Sequence, residues 1–327
     1  MSMSSITGLG GSQHYLLRDL ANVEKTSSLS QSGPITPDQR QNGQANGRQL
    51  SSEASKVSLS VDALFSISKV NQANNVIPSK YEQFFPAREG YSVANLASAI
   101  ENPAAQPFSQ NRPFLEVAQA VRANLDIKYE RMAENGQPFE KNTFEGIDKN
   151  SLFGELDRRA LHAVASNEGG VFTDLEQRTA KSLMVQQQGL AMGRYSGPSR
   201  LADSYDKAVP PGMQDHAKIE KASILFLDKV SPEEKSSITW AHARAVSQSH
   251  YEMEMNDRGQ IGEDFTSDNP LVRLLMEAFD NWSSRPGLTS IGNVENEDDL
   301  RKQPWFVGFE DRLDDVLART RELYNVS

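Results

Sequence analysis

The chain has no cysteine among its 327 residues. That single fact excludes a disulfide framework, a thiolate nucleophile, thiolate zinc sites and Cys-ligated iron–sulfur clusters. Long apolar runs are missing too, since no stretch approaches the roughly 20 residues needed to span a bilayer. The N-terminus MSMSSITGLGGSQHYLLRDLA lacks both the basic region and the sustained apolar region of a secretory signal. The expected location is therefore cytoplasmic, or outside the cell by a route that reads no cleavable apolar signal. Positive charge is also scarce. The 34 Lys and Arg stand against 44 Asp and Glu, for a net charge of -10 and a pI of about 5.1. A general nucleic-acid or anionic-membrane binder needs clustered positive charge, and no such block occurs here. Hydrophobic residues make up 37% and mean hydropathy is -0.57, so part of the chain is expected to lie outside any packed core.

No convincing period-2 alternation is present, and what is present is helical. The strongest pattern is Leu152 to Gln188, where Leu152, Phe153, Leu156, Ala160, Leu161 and Val164 recur at helical intervals. Glu155, Asp157, Arg158 and Arg159 are expected on the other face. Gly169-Gly170 breaks this limb, and Thr173 with Glu176 three residues on forms a capping box for a second one. Further helices are expected over Val93–Ile100, from Pro113 to Met132, over His216–Val230, from Pro232 to about Met255, from Asn269-Pro270 to Trp282, and over Leu300–Tyr324. The last presents Phe306, Phe309, Leu313, Val316, Leu317 and Leu323 on one face. The expected architecture is an all-α, multi-helix domain over 79–327, built from helix–turn–helix pairs. The Gly- and Pro-rich connection 189–215 is a candidate sub-boundary.

Residues 1–78 differ in character. Between Thr26 and Ser55 the chain is dominated by Ser, Gln, Asn, Gly and Pro, a composition that cannot offset its ordering entropy and is expected to be disordered. Two apolar islands interrupt it, His14–Val23 and Val57–Val70. In the second, Leu59, Val61, Leu64, Phe65 and Ile67 form a candidate partner-docking segment behind Ser60 as N-cap. A Ser/Gln/Asn-rich, cysteine-free leader followed by Val57-Ser58-Leu59-Ser60-Val61-Asp62-Ala63 resembles the leaders of bacterial proteins handled by flagellar or type III export. The phrase V-x-L-S-x-x-A is similar to a segment of flagellar anti-sigma factors.

The frame from Ala165 to Glu176 resembles the 12-residue calcium loop of an EF-hand. Asn167 falls at position three, Gly170 at the turning sixth, Thr173 at the ninth and Glu176 at the bidentate twelfth. The resemblance implies calcium held by Asn167, Thr173 and Glu176. Positions one and five are Ala165 and Gly169, which have no side-chain oxygen for an ion that wants six to eight. Elsewhere, His242 and His250 are eight residues apart, about 12 Å along a helix, too far to share one ion, and they are expected on the surface beside Glu252 and Glu254. Asp298-Asp299 and Asp314-Asp315 read as solvated faces. No G-x-S-x-G triad motif is present, and the glycines Gly8 to Gly11 lack the lysine of a P-loop.

These features lead to a non-enzymatic bacterial interaction, regulatory or exported protein without a cofactor. A protein partner is expected, and nucleic acid and membrane spans are not. The alternatives are a calcium-responsive helix–loop–helix protein, or an enzyme with a site in 189–215 around Arg194, Tyr195 and Arg200.

Overall fold

The computed structural model describes residues 81–85, 91–136, 149–208, 215–283 and 292–326. The arm 1–78, with the docking residues Leu59, Val61, Leu64, Phe65 and Ile67, lies outside the described residues. Among those described there are twelve α-helices and no β-strand, so the fold is all-α. In chain order the helices are α1 (Val93–Glu101), α2 (Phe114–Glu134), α3 (Lys149–Phe153), α4 (Arg158–Ala165), α5 (Asp174–Ala191) and α6 (Ala202–Ala208). Then come α7 (His216–Leu227), α8 (Pro232–Lys235), α9 (Ile238–Asp257), α10 (Pro270–Ser283), α11 (Glu297–Arg301) and α12 (Glu310–Tyr324). Every described residue belongs to one compact unit, and no described helix is long and apolar enough to cross a membrane.

Three of the long helices expected from periodicity are interrupted, each by a local competitor for the backbone. The limb through Leu152 and Val164 divides because the Asp157 carboxylate accepts from Ala160 N at 2.9 Å and starts α4 afresh. The stretch after Pro232 stops at Lys235, and Ser237 recaps it by accepting from Trp240 N at 3.2 Å. The C-terminal element is three pieces, α11, a 3-10 turn at Pro304–Phe306, and α12. Pro304 has no N–H to continue α11. Leu323, expected on the buried face, is 47% exposed, while Leu313, Val316 and Leu317 of the same helix are buried. The 189–215 connection carries more structure than expected, with a 3-10 turn at Ser199–Leu201 leading into α6.

Most of the described core lies in three parts. Leu125, Leu152, Leu161, Val164 and Leu183 join α2 to α5. Tyr81, Phe84 and Phe85 pack with α1, Leu190 and Tyr205. The largest part joins α7 to α12 around Trp240, Leu271, Leu275, Trp305 and Phe306. Helices α7 and α9 also share a polar seam, in which Glu220 faces His250 at 3.9 Å, Ser247 donates to Ser223 at 2.9 Å, and Arg244 meets Asp228 at 2.7 Å. That register carries one end of the seam to the pocket described next.

Candidate functional site

The loop with the EF-hand resemblance is a helical hairpin whose oxygens already have partners. Gly169 and Gly170 adopt φ of 71° and 68°, and Asn167 is also left-handed, at 56°. A Cβ on Gly169 would sit 2.9 Å from a Leu115 methyl of α2, and the left-handed φ disfavours any side chain there. The Asn167 carboxamide oxygen accepts from Phe172 N at 2.9 Å. Thr173 and Glu176 form the expected capping box, Thr173 N donating to Glu176 Oε2 at 2.8 Å and Glu176 N to Thr173 Oγ1 at 3.3 Å. Arg122 from α2 donates Nη1 to both Glu176 oxygens, at 2.9 and 3.0 Å. Burial works to raise the Glu176 carboxyl, but the Thr173 amide and the Arg122 guanidinium outweigh it and hold it below the usual range. This arrangement accounts for Asn167, Thr173 and Glu176 without an ion. Among the described residues no group of three His, Asp or Glu side chains is placed to hold a metal.

Arg158 and Arg159, on the polar face of the first limb, are both buried. Arg158 is 3% exposed and Arg159 8%. Arg158 Nε and Nη2 grip Glu234 of α8 at 2.9 and 2.7 Å, and Nη1 reaches Met184 O and Gln187 Oε1, while the guanidinium lies 4.6 Å over the Phe226 ring. Arg159 donates to Glu233 at 2.5 Å and to Arg112 O at 2.8 Å. Asp157 is buried as well, accepting from Phe108 N, Ser109 N and Ser109 Oγ at 2.7 to 2.9 Å. Helix α4 is thereby bolted to α8 on one side and to the 108–112 turn on the other. No local pattern in the sequence ties Glu233 and Glu234 to their arginine partners 74 and 76 residues away.

Of the two histidines expected on the surface, His250 is half-buried and His242 is buried. His242 is 9% exposed, stacked 5.9 Å from Trp305 and edge-on to Phe279 at 6.3 Å, with no hydrogen-bond partner for Nε2. His162 stacks 5.7 Å from Phe114. The three residues named in the 189–215 loop divide between two surroundings. Arg194 lies near Glu220, and burial lowers its guanidinium from the usual value. The Tyr195 hydroxyl bonds Phe84 O and Pro198 O within an aromatic group of Phe84, Phe85 and Tyr205, and burial pushes it up to about 12. Arg200 is exposed near Tyr195.

One cavity was not visible in the sequence. It is a pocket of about 280 Å³ where the ends of α7, α8 and α12 meet α9 and the 258–269 connection. Asp228, Lys235, Trp240, Arg244, the run Asp264–Asp268 and Tyr324 line it. Arg244, 2% exposed, holds both Asp228 oxygens at 2.7 and 3.3 Å, Gln248 Oε1 at 3.0 Å and Phe265 O at 2.9 Å. Asn269 donates to Lys235 O at 3.0 Å and caps α10 through Leu271 N at 2.8 Å. The wall without regular secondary structure is thus held by side chains. Compared with known protein families, curated proteins and solved structures, the chain has no match.

Proposed function

We propose that this chain is a non-enzymatic bacterial interaction protein, exported or regulatory, linked to flagellar or related type III secretion. In this reading the helical body is a rigid platform, and Leu59, Val61, Leu64, Phe65 and Ile67 of the arm dock on a protein partner. The supporting observation is where the body spends its chemistry. The charged groups buried in α4, α5 and α8, which a reaction centre would keep available, are committed to structural pairs: Arg158–Glu234, Arg159–Glu233 and Arg122–Glu176. The leader Ser58-Leu59-Ser60-Val61 and its Ser/Gln/Asn-rich surroundings favour export over a purely intracellular role.

The test is made with the full chain carrying a small C-terminal tag, in a bacterium with a flagellar export apparatus and in the same strain with that apparatus disabled. Tagged protein is expected in the medium of the first strain alone; retention in both ends the export reading. Leu64→Asp with Phe65→Asp in the full chain is expected to reduce partner capture at least about tenfold, a loss of about 1.4 kcal/mol, with an unchanged thermal melt. The competing calcium reading predicts titration heat at millimolar calcium that disappears in Glu176→Gln.

A further inference from the structure

We infer that the pocket between α8, α9 and α12 binds a small zwitterion of the free amino acid class. Its volume of about 280 Å³ lies at the lower edge of small-ligand sites, which run from roughly 300 to 1,000 Å³. A nucleotide or large cofactor is too big, and a metabolite of amino-acid size fits.

The charge arrangement selects the chemistry. Five charged side chains of both signs line the pocket, and three already have partners: Arg244 with Asp228 at 2.7 Å, and Asp268 with Arg273 at 2.7 Å. One cation and one anion remain. No described residue gives the Lys235 ammonium a hydrogen bond or ion pair, although the side chain is half-buried and burial lowers it from the usual lysine value. The Asp264 carboxylate caps Thr266 N at 2.8 Å and meets no described cation. Asp228 and Glu234 attract the ammonium from a distance, but burial is the larger influence, so its lost hydration is only partly offset without a direct contact. A ligand carboxylate on Lys235 Nζ supplies the contact, and a ligand ammonium on Asp264 completes the pair. Trp240, Phe265 and Tyr324 provide apolar wall for a short side chain.

The lining is also held in advance of any ligand. Arg244 grips Phe265 O, Lys221 pairs with Glu263, and Glu263 N donates to the Tyr251 hydroxyl at 3.0 Å, so the 263–265 segment has little ordering entropy left to lose on binding. The site stands independently of the docking segment in the arm.

Titration calorimetry on the full chain tests this with each of the common L-amino acids, and with propionate and ethylamine as the separate acid and amine halves. At least one amino acid is expected to bind with a Kd of about 1 mM or tighter, and each half at least about tenfold more weakly. Lys235→Met and Asp264→Asn are each expected to weaken binding by at least about tenfold, the loss of one charge-assisted contact, with unchanged thermal melts. No heat from any probe up to about 10 mM overturns the inference. So does equal affinity for propionate and the amino acid, which marks a simple anion site, or undiminished binding in both variants.

Discussion

Arg158 and His242 show what a buried polar side chain costs with and without a partner. Arg158 and Glu234 are 3% and 5% exposed and hold each other through two nitrogens. Removing one charge strands the other. Arg158→Met is expected to lower stability by about 3–5 kcal/mol, and the double variant with Glu234→Leu to recover most of it; equal losses in urea melts would show that the pair does not compensate its own desolvation. His242 has no carboxylate beside it, and burial alone pushes it down to about 4 from the ordinary 6.5. The sign follows directly. The unfolded chain binds the proton first, so this contribution is intact above about pH 6.5 and is lost as the pH falls towards 4. The difference corresponds to about 3 kcal/mol. Urea midpoints measured between these limits should fall with acidity, and His242→Phe should flatten part of that slope. His162, also lowered by burial, supplies a further part in the same direction.

At the scale of elements, the hairpin from α4 to α5 depends on its turn and its cap. Thr173→Ala removes the acceptor for Glu176 N and is expected to cost about 1 kcal/mol, read as a lower thermal midpoint. Gly169→Ala meets both a left-handed backbone and the Leu115 methyl at 2.9 Å. It should cost more than the roughly 1 kcal/mol that glycine-to-alanine changes gain at compatible sites, with the opposite sign; a neutral or stabilised variant would show that the loop relaxes. Helix existence was legible here because the apolar spacing of Leu271, Leu274, Leu275 and Ala278 is unambiguous, and all four are buried. Boundaries were less so. A single carboxylate or hydroxyl at Asp157 or Ser237 restarts a helix by capping, and periodicity carries no record of that choice.

On the scale of the whole molecule, the chain's three tryptophans, Trp240, Trp282 and Trp305, all lie in the core that joins α7 to α12. Leu161 lies in the core that joins α2 to α5. The Arg158–Glu234 and Arg159–Glu233 bridges run between these regions. Leu161→Ala is expected to cost about 2–5 kcal/mol. If the bridges couple the cores, tryptophan fluorescence and far-ultraviolet circular dichroism will shift to lower urea together. A fluorescence transition left in place would mean that the two cores unfold separately.

The all-α class, the Gly169-Gly170 turn and the Thr173–Glu176 capping box follow from the sequence by itself. Each rests on residues within a few positions of one another, where propensity and spacing act alone. Tertiary structure decided what long-range contact supplies. It buried Arg158 and Arg159 by bringing Glu234 and Glu233 across 76 and 74 residues. It paired Glu176 with Arg122, 54 residues away. It also gathered Lys235, Arg244, Asp264 and Tyr324 around one pocket. A charged side chain has the same local pattern whether it faces water or a buried counter-ion, so only the packed fold distinguishes the two.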